Sequence, residues 1–179
     1  MIAFSTFANQ GVHNDATFVT RIEDQQGNVI ATFIPQSQDA INERTAYTML
    51  TMLRGVVNAG TAGRMNYEYG FRDVEIGGKT GTSNKNRDAW FMCVAPKLVA
   101  GAWVGAEDQA VHLLAAGEGS VVALPIVGEF MRNVYNDGRF GIGRTDVFIR
   151  PTQMPHYDCE DIPEGEDVDP VVDEDEFFD

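Results

Sequence analysis

Three runs decide the fold: VEIGGKTGT (Val74–Thr82), AWFMCV (Ala89–Val94) and LVAGAWVG (Leu98–Gly105). Each is rich in β-branched or aromatic residues and each reads as a strand. Only Ala95-Pro96-Lys97 separates the second run from the third, which leaves no room for a crossover and forces an antiparallel hairpin. Gly101 and Gly105 interrupt the third run, so something is expected to pack close against its backbone.

Upstream, Asn42 is a good helix N-cap and Glu43 suits the positive end of the helix dipole. Ala46, Met49, Leu50, Leu53, Val56 and Val57 follow at helical spacing as one apolar stripe. Gly60 closes this helix, while Gly55 weakens its interior slightly. Ile2–Ala8 reads as a short apolar helix stopped by Asn9-Gln10-Gly11. Phe18–Glu23 and Val29–Ile34 flank the turn-rich Asp24-Gln25-Gln26-Gly27-Asn28, which predicts a β-hairpin ended by Pro35. Downstream, Pro125–Asn136 predicts a helix with proline in its first turn and Val127, Phe130, Met131 and Val134 on one face. The order helix, hairpin, helix, three strands, helix predicts an α+β fold, an antiparallel sheet with packed helices.

The net charge of −14 is unevenly spread. Twelve of the 27 acidic residues lie in Asp158–Asp179, a stretch without Lys or Arg, leaving fifteen acids against thirteen bases in residues 1–157. A near-neutral body with an acidic end gives no footprint for a nucleic-acid partner. Residues 151–179 read as an acidic, disordered tail appended to a domain over residues 1–150. The tail has no calcium-loop spacing. Cys93 lies in an apolar run and Cys159 in the tail, so a buried thiol and a free one are expected. No stretch approaches the 18 apolar residues of a membrane span, so no membrane contact is expected of this chain. The opening residues resemble the inside of a helix and lack a signal-peptide pattern, which predicts that the chain starts partway along a longer gene product.

Gly77-Gly78-Lys79-Thr80-Gly81-Thr82-Ser83 breaks local rules, because glycine weakens a strand unless a ligand must lie against its backbone. Here the glycines bracket one cation and two hydroxyls. Strand alternation puts Lys79, Gly81 and Ser83 on one face and Thr80 and Thr82 on the other. A local twist or bulge would bring both sets to the edge, where amides, an ammonium and hydroxyls suit a carboxylate and a carbonyl oxygen. A phosphate-binding loop would need glycine where Asp73 stands, and Val74-Glu75-Ile76 reads as strand. Ser83 has no evident general base and reads as a supporting hydroxyl. His13, His112 and His156 are far apart and read as surface or packing residues, with no metal site and no cofactor expected. Trp90 and Trp103 read as sheet or core residues.

Lys79-Thr80-Gly81-Thr82-Ser83 matches the Lys-Thr-Gly box of the penicillin-recognising serine enzymes. Ala100-Gly101-Ala102-Trp103-Val104-Gly105 resembles a Gly-x-Trp-Val-Gly strand of the class A, bifunctional penicillin-binding proteins. Arg87-Asp88-Ala89-Trp90-Phe91, Phe4–Gly11, Arg21–Ile30 and Thr45–Leu50 are similar to the same class. The likeness runs from about residue 2 to Asn136. It implies a β-lactamase/transpeptidase-like fold, with residues 1–150 as the C-terminal portion of a transpeptidase domain. The family's Ser-x-x-Lys and Ser-x-Asn boxes are absent here and in the family precede this segment, so the N-terminal half of the domain is expected to be missing.

The resemblance implies a serine D,D-transpeptidase that cross-links peptidoglycan stem peptides at D-Ala–D-Ala and binds β-lactams. Lys79 would supply positive potential near the terminal carboxylate, and the hydroxyls of Thr80 and Thr82 would bind it. Gly81 would permit close approach, and the Thr82 amide would be one donor of the oxyanion hole. Lys79 and Thr82 are therefore the catalytic candidates. The partners implied are the stem peptide, β-lactams and the missing half-domain. The likeness also implies a parent with a glycosyltransferase domain and an N-terminal membrane anchor, at the periplasmic face of the inner membrane. The chain alone is expected to be inactive and to expose apolar surface. Two other readings are a non-catalytic binding or scaffold module of the same fold and a fragment of a serine β-lactamase or carboxypeptidase. The Trp-Val-Gly strand favours the class A synthase over the latter.

Overall fold

The computed structural model describes residues 1–153 apart from 109, 114 and 115. Its elements run α1 (Ile2–Ala8), β1 (Val12–Asn14), β2 (Arg21–Glu23), β3 (Val29–Thr32), β4 (Ser37–Asp39), α2 (Glu43–Ala59), α3 (Arg64–Tyr67), β5 (Gly77–Thr82), β6 (Asp88–Ala95), β7 (Leu98–Gly105) and α4 (Leu124–Asn136). Strands β5, β6 and β7 form one antiparallel sheet in that order, as the short connections require. The residues expected to form the acidic tail lie almost wholly outside the described ones, as do His156 and Cys159.

Helices lie on both sides of this sheet. Register and alternation put Phe91, Cys93, Ala95 and Ala100 on one face. That face packs on Leu124, Val127 and Met131 of α4, with Met65, Phe71 and Ile76 from the connection between α2 and β5. On the other face, Val94 and Val99 meet Tyr47, Leu50 and Leu53 of α2 and the Phe4 and Phe7 side chains of α1. Burying each large aliphatic side chain contributes about 1.5–3 kcal/mol, so these two clusters hold the sheet between its helices. Helix α2 starts as its residues demand: the Asn42 side chain accepts from the Thr45 amide at 2.9 Å.

The chain beyond α4 returns across the body. The Phe148 amide donates to Glu75 Oε2 at 2.9 Å, and Glu75 also pairs with Arg54 at 3.1 Å and Arg150 at 3.6 Å. Lys97 donates to Asp146 Oδ1 at 2.7 Å and to the Gly141 carbonyl at 3.1 Å.

Several expectations are corrected. Strand β5 begins at Gly77, not Val74: Ile76 donates its amide to the Val74 carbonyl at 3.0 Å, a tight local turn that leaves the sheet ladder. The predicted hairpin exists as β2 and β3, but Val19 and Phe33 lie just outside the strands and are exposed, and a register shift at Ile22/Glu23 shortens the pairing. A further pair, β1 with β4, was not predicted. Phe130 is 48% exposed and leaves the stripe made by Val127, Met131 and Val134. Trp90 and Trp103 are sheet residues, as expected, but not core ones. They form a cross-strand pair with ring centroids 6.4 Å apart, and each is nearly half exposed.

Candidate active site

The Lys79–Thr82 stretch lies on an outer strand of the three-stranded sheet, with Lys79 and Thr82 exposed and Thr80 and Gly81 half-buried. At its start the face that carries Lys79 is covered by α2, since a Cβ on Gly77 would stand 2.9 Å from that of Leu53. Beyond Gly78 it opens.

The hydrogen-bond ladder fixes which amides face outward. Ser83 donates its amide to the Asp88 carbonyl at 2.9 Å, and antiparallel pairing alternates residue by residue. The amides of Gly81 and Lys79 therefore turn toward β6, and those of Thr80 and Thr82 turn to the free edge. The β5–β6 register is unbroken from Gly77↔Val94 to Thr82↔Ala89. The bulge invoked to gather both side-chain sets is absent, and backbone direction does the gathering. Lys79 and Gly81 rise from the face carrying Trp90 and Met92, yet the Lys79 ammonium reaches back to the edge and donates to the Thr80 carbonyl at 2.6 Å.

The two hydroxyls lie on the opposite face and each has a neighbour behind it. Thr80 Oγ1 is 3.0 Å from Thr61 Oγ1. Thr82 Oγ1 accepts from the Gly119 amide at 3.1 Å. An amide can only donate, so the Thr82 proton stays available to an outside acceptor. A cation, two outward amides and two hydroxyls thus line one open strand edge, a donor-rich arrangement suited to a carboxylate.

The turn after β5 is held by its own side chains. Ser83 Oγ accepts from the Asp88 amide at 2.7 Å and donates to Asp88 Oδ2 at 3.1 Å, while Asp88 Oδ1 accepts from Trp103 Nε1 at 2.9 Å. Lys85 and Asn86 take left-handed backbone angles in it. Ser83 therefore serves the turn, its hydroxyl tied on both sides to Asp88. Cys93 is buried, and burial pushes its thiol up to about 12, which leaves no thiolate for attack. His13 pairs with Asp15 at 3.4 Å on β1, and His112 lies on the chain beyond β7, with Nδ1 3.2 Å from the Lys85 carbonyl. Among the described residues no group of three or more His, Cys, Asp or Glu is placed to hold a metal. Thr61 and Gly119, which back the two hydroxyls, were not found from sequence. Gly117-Glu118-Gly119 was a visible glycine pair, but nothing in it pointed to β5.

Residues 1–132 match the family described as the penicillin binding protein transpeptidase domain. The chain is 36% identical over 168 residues to penicillin-binding protein 1A of Aquifex aeolicus, covering 90% of this chain and 22% of that protein. It is 30% identical over 159 residues to penicillin-binding protein 1B of Haemophilus influenzae, covering 88% and 20%. It therefore spans about a fifth of the length of these relatives. The crystal structure of penicillin-binding protein 1A from Haemophilus influenzae matches with a TM-score of 0.68 at 20% identity, covering 76% of this chain and 26% of that one. The imipenem acyl-enzyme complex of penicillin-binding protein A from M. tuberculosis matches at 0.57 and 23%, covering 73% and 29%. These likenesses show the fold: helices and an antiparallel sheet arranged as in part of a penicillin-binding transpeptidase.

Proposed function

Because the chain belongs to the penicillin-binding protein transpeptidase family, among homologues of the class A proteins, we propose that it is the substrate-gripping portion of a serine D,D-transpeptidase. In this reading the donor-rich edge of β5 binds the terminal D-alanine of a peptidoglycan stem peptide. The Lys79 ammonium and the hydroxyls of Thr80 and Thr82 hold its carboxylate. Gly81, without a side chain, lets the peptide lie against the strand. The Thr82 amide points at the carbonyl oxygen that becomes an oxyanion.

The nucleophile comes from outside these 179 residues. A serine supplied by the rest of the longer protein attacks the penultimate D-Ala carbonyl, and the terminal D-Ala leaves with the proton taken from that serine. The amine of a neighbouring stem peptide then displaces the serine from the acyl group. A β-lactam enters the same edge by its own carboxylate and acylates the same serine. The parent protein would be anchored in the membrane with this domain on its outer face, and would also carry the glycosyltransferase domain of the class A proteins. The observation that carries the reading is the outward direction of the Thr80 and Thr82 amides beside the Lys79 ammonium.

Labelled benzylpenicillin tests it. The 179-residue chain purified alone should take up no covalent label. The product of the uninterrupted reading frame, including any sequence encoded before Met1, should take up one label per molecule. Stoichiometric labelling of the short chain would overturn the assignment of the nucleophile. A stop codon with a ribosome-binding site directly upstream, and no labelling of any product, would favour a non-catalytic module of the same fold.

A further inference from the structure

We infer that Thr61, on the turn that closes α2, is a positioning residue that aims the Thr80 hydroxyl proton at a bound carboxylate. This rests on the reading of β5 as a carboxylate-gripping edge. The turn is firmly held. Gly60 and Ala62 both donate their amides to the Val56 carbonyl at 3.1 Å, Gly63 donates to Gly60 at 3.1 Å, and Ala62 is fully buried. Thr61 sits between these fixed points with its hydroxyl oxygen 3.0 Å from that of Thr80.

Two hydroxyls that share one hydrogen bond have two arrangements. When Thr80 donates to Thr61, its proton is spent inward and only lone pairs face the edge. When Thr61 donates to Thr80, the Thr80 proton is free to face outward. An anion beside the Lys79 ammonium selects the second arrangement, because only that one offers it an O–H. A hydroxyl that is already accepting a hydrogen bond is also polarised toward donating one. Thr82 shows the same construction independently: the Gly119 amide, which can only donate, occupies the Thr82 oxygen from behind at 3.1 Å. Both hydroxyls of the edge are thus backed by a donor on a neighbouring element. Thr61 does for Thr80 what the Gly119 amide does for Thr82.

The test is a double-mutant cycle in the full reading-frame product, with acylation rate constants measured for benzylpenicillin and for its methyl ester, which lacks the charge. Thr61→Val should slow acylation by the free acid about five- to tenfold, the worth of one ordinary hydrogen bond, and slow the ester less than about twofold. Thr61→Ser should restore the rate. Thr80→Val should make Thr61→Val silent, since the two act through one hydrogen bond. Equal losses for acid and ester, or additive losses in the double variant, would reduce Thr61 to a structural residue and overturn the inference. A normal wild-type rate with an unaffected Thr61→Val variant would overturn it while leaving the edge reading intact. A wild-type product that no penicillin acylates would overturn both together.

Discussion

A Cβ on Gly119 would press into the carbonyl oxygen of Trp90 and come within 2.6 Å of that of Gly81. Both are backbone atoms of the sheet and neither can swing aside, so this position tolerates only glycine unless the strand shifts. The same residue donates its amide to Thr82. Gly119→Ala should therefore act twice, costing about 1–3 kcal/mol of stability through overpacking and moving the Thr82 hydroxyl. Urea unfolding and acylation of the longer product would read the two effects. Unchanged stability would mean that the loop carrying Gly119 does not press on the sheet. The glycines of β7 teach a different lesson. They were expected to mark something packing against the backbone. What a side chain would meet there is the sheet's own Met92 at Gly101 and the Trp103 ring at Gly105.

At the level of elements, α2 and the turn that closes it meet both faces of β5, through Leu53 against Gly77 and Thr61 against Thr80. Its N-cap lies at the other end. Asn42→Ala should cost about 1 kcal/mol, read as a lower thermal midpoint, and leave the acylation rate of the longer product unchanged. A loss of rate larger than the loss of folded protein would show that the helix end communicates with the edge. Much of this level was legible beforehand. Strands β6 and β7 are strand-like runs joined by only two residues, Pro96 and Lys97, and the α2 stripe repeats at helical period with a cap in place. Strands β1 and β4 were not legible, because three residues such as Val12-His13-Asn14 carry no period, and their pairing depends on a chain reversal 22 residues long between them. Phe130 fits the helical spacing of its neighbours yet faces outward, since spacing fixes an angle and not which angles the sheet covers. The Lys79–Thr82 strand was found because glycines in a strand need a reason. The groups behind its hydroxyls, Thr61 and Gly119, come from distant segments, and tertiary packing alone reveals them.

Across the whole molecule, hydrogen bonds hold three carboxylates in their charged form, two within their own turns and one, Asp146, against the distant Lys97. The Gly143 amide, with Lys97 beside it, holds Asp146 below the ordinary aspartate range. The Asn28 side chain does the same for Asp24, and Arg139 for Asp137. In each case the folded value lies below the unfolded one, so the stabilisation is complete above the unfolded value of about 3.9 and is lost as pH falls through the folded value. The thermal midpoint should thus hold steady down to about pH 4 and drop beneath it, with a shallower drop in Asp146→Asn. A midpoint that declines mainly between pH 6 and pH 5 would assign the acid loss of stability to other groups.

Among the described residues the sheet leaves the Trp90–Trp103 pair half exposed beside Lys79 and Gly81. These are the only two tryptophans in the chain, so its intrinsic emission arises from that one patch. Whatever comes to cover it, a partner segment or a bound peptide, would shift the spectrum to the blue, and the protein carries an optical gauge of its own occupancy without any added label.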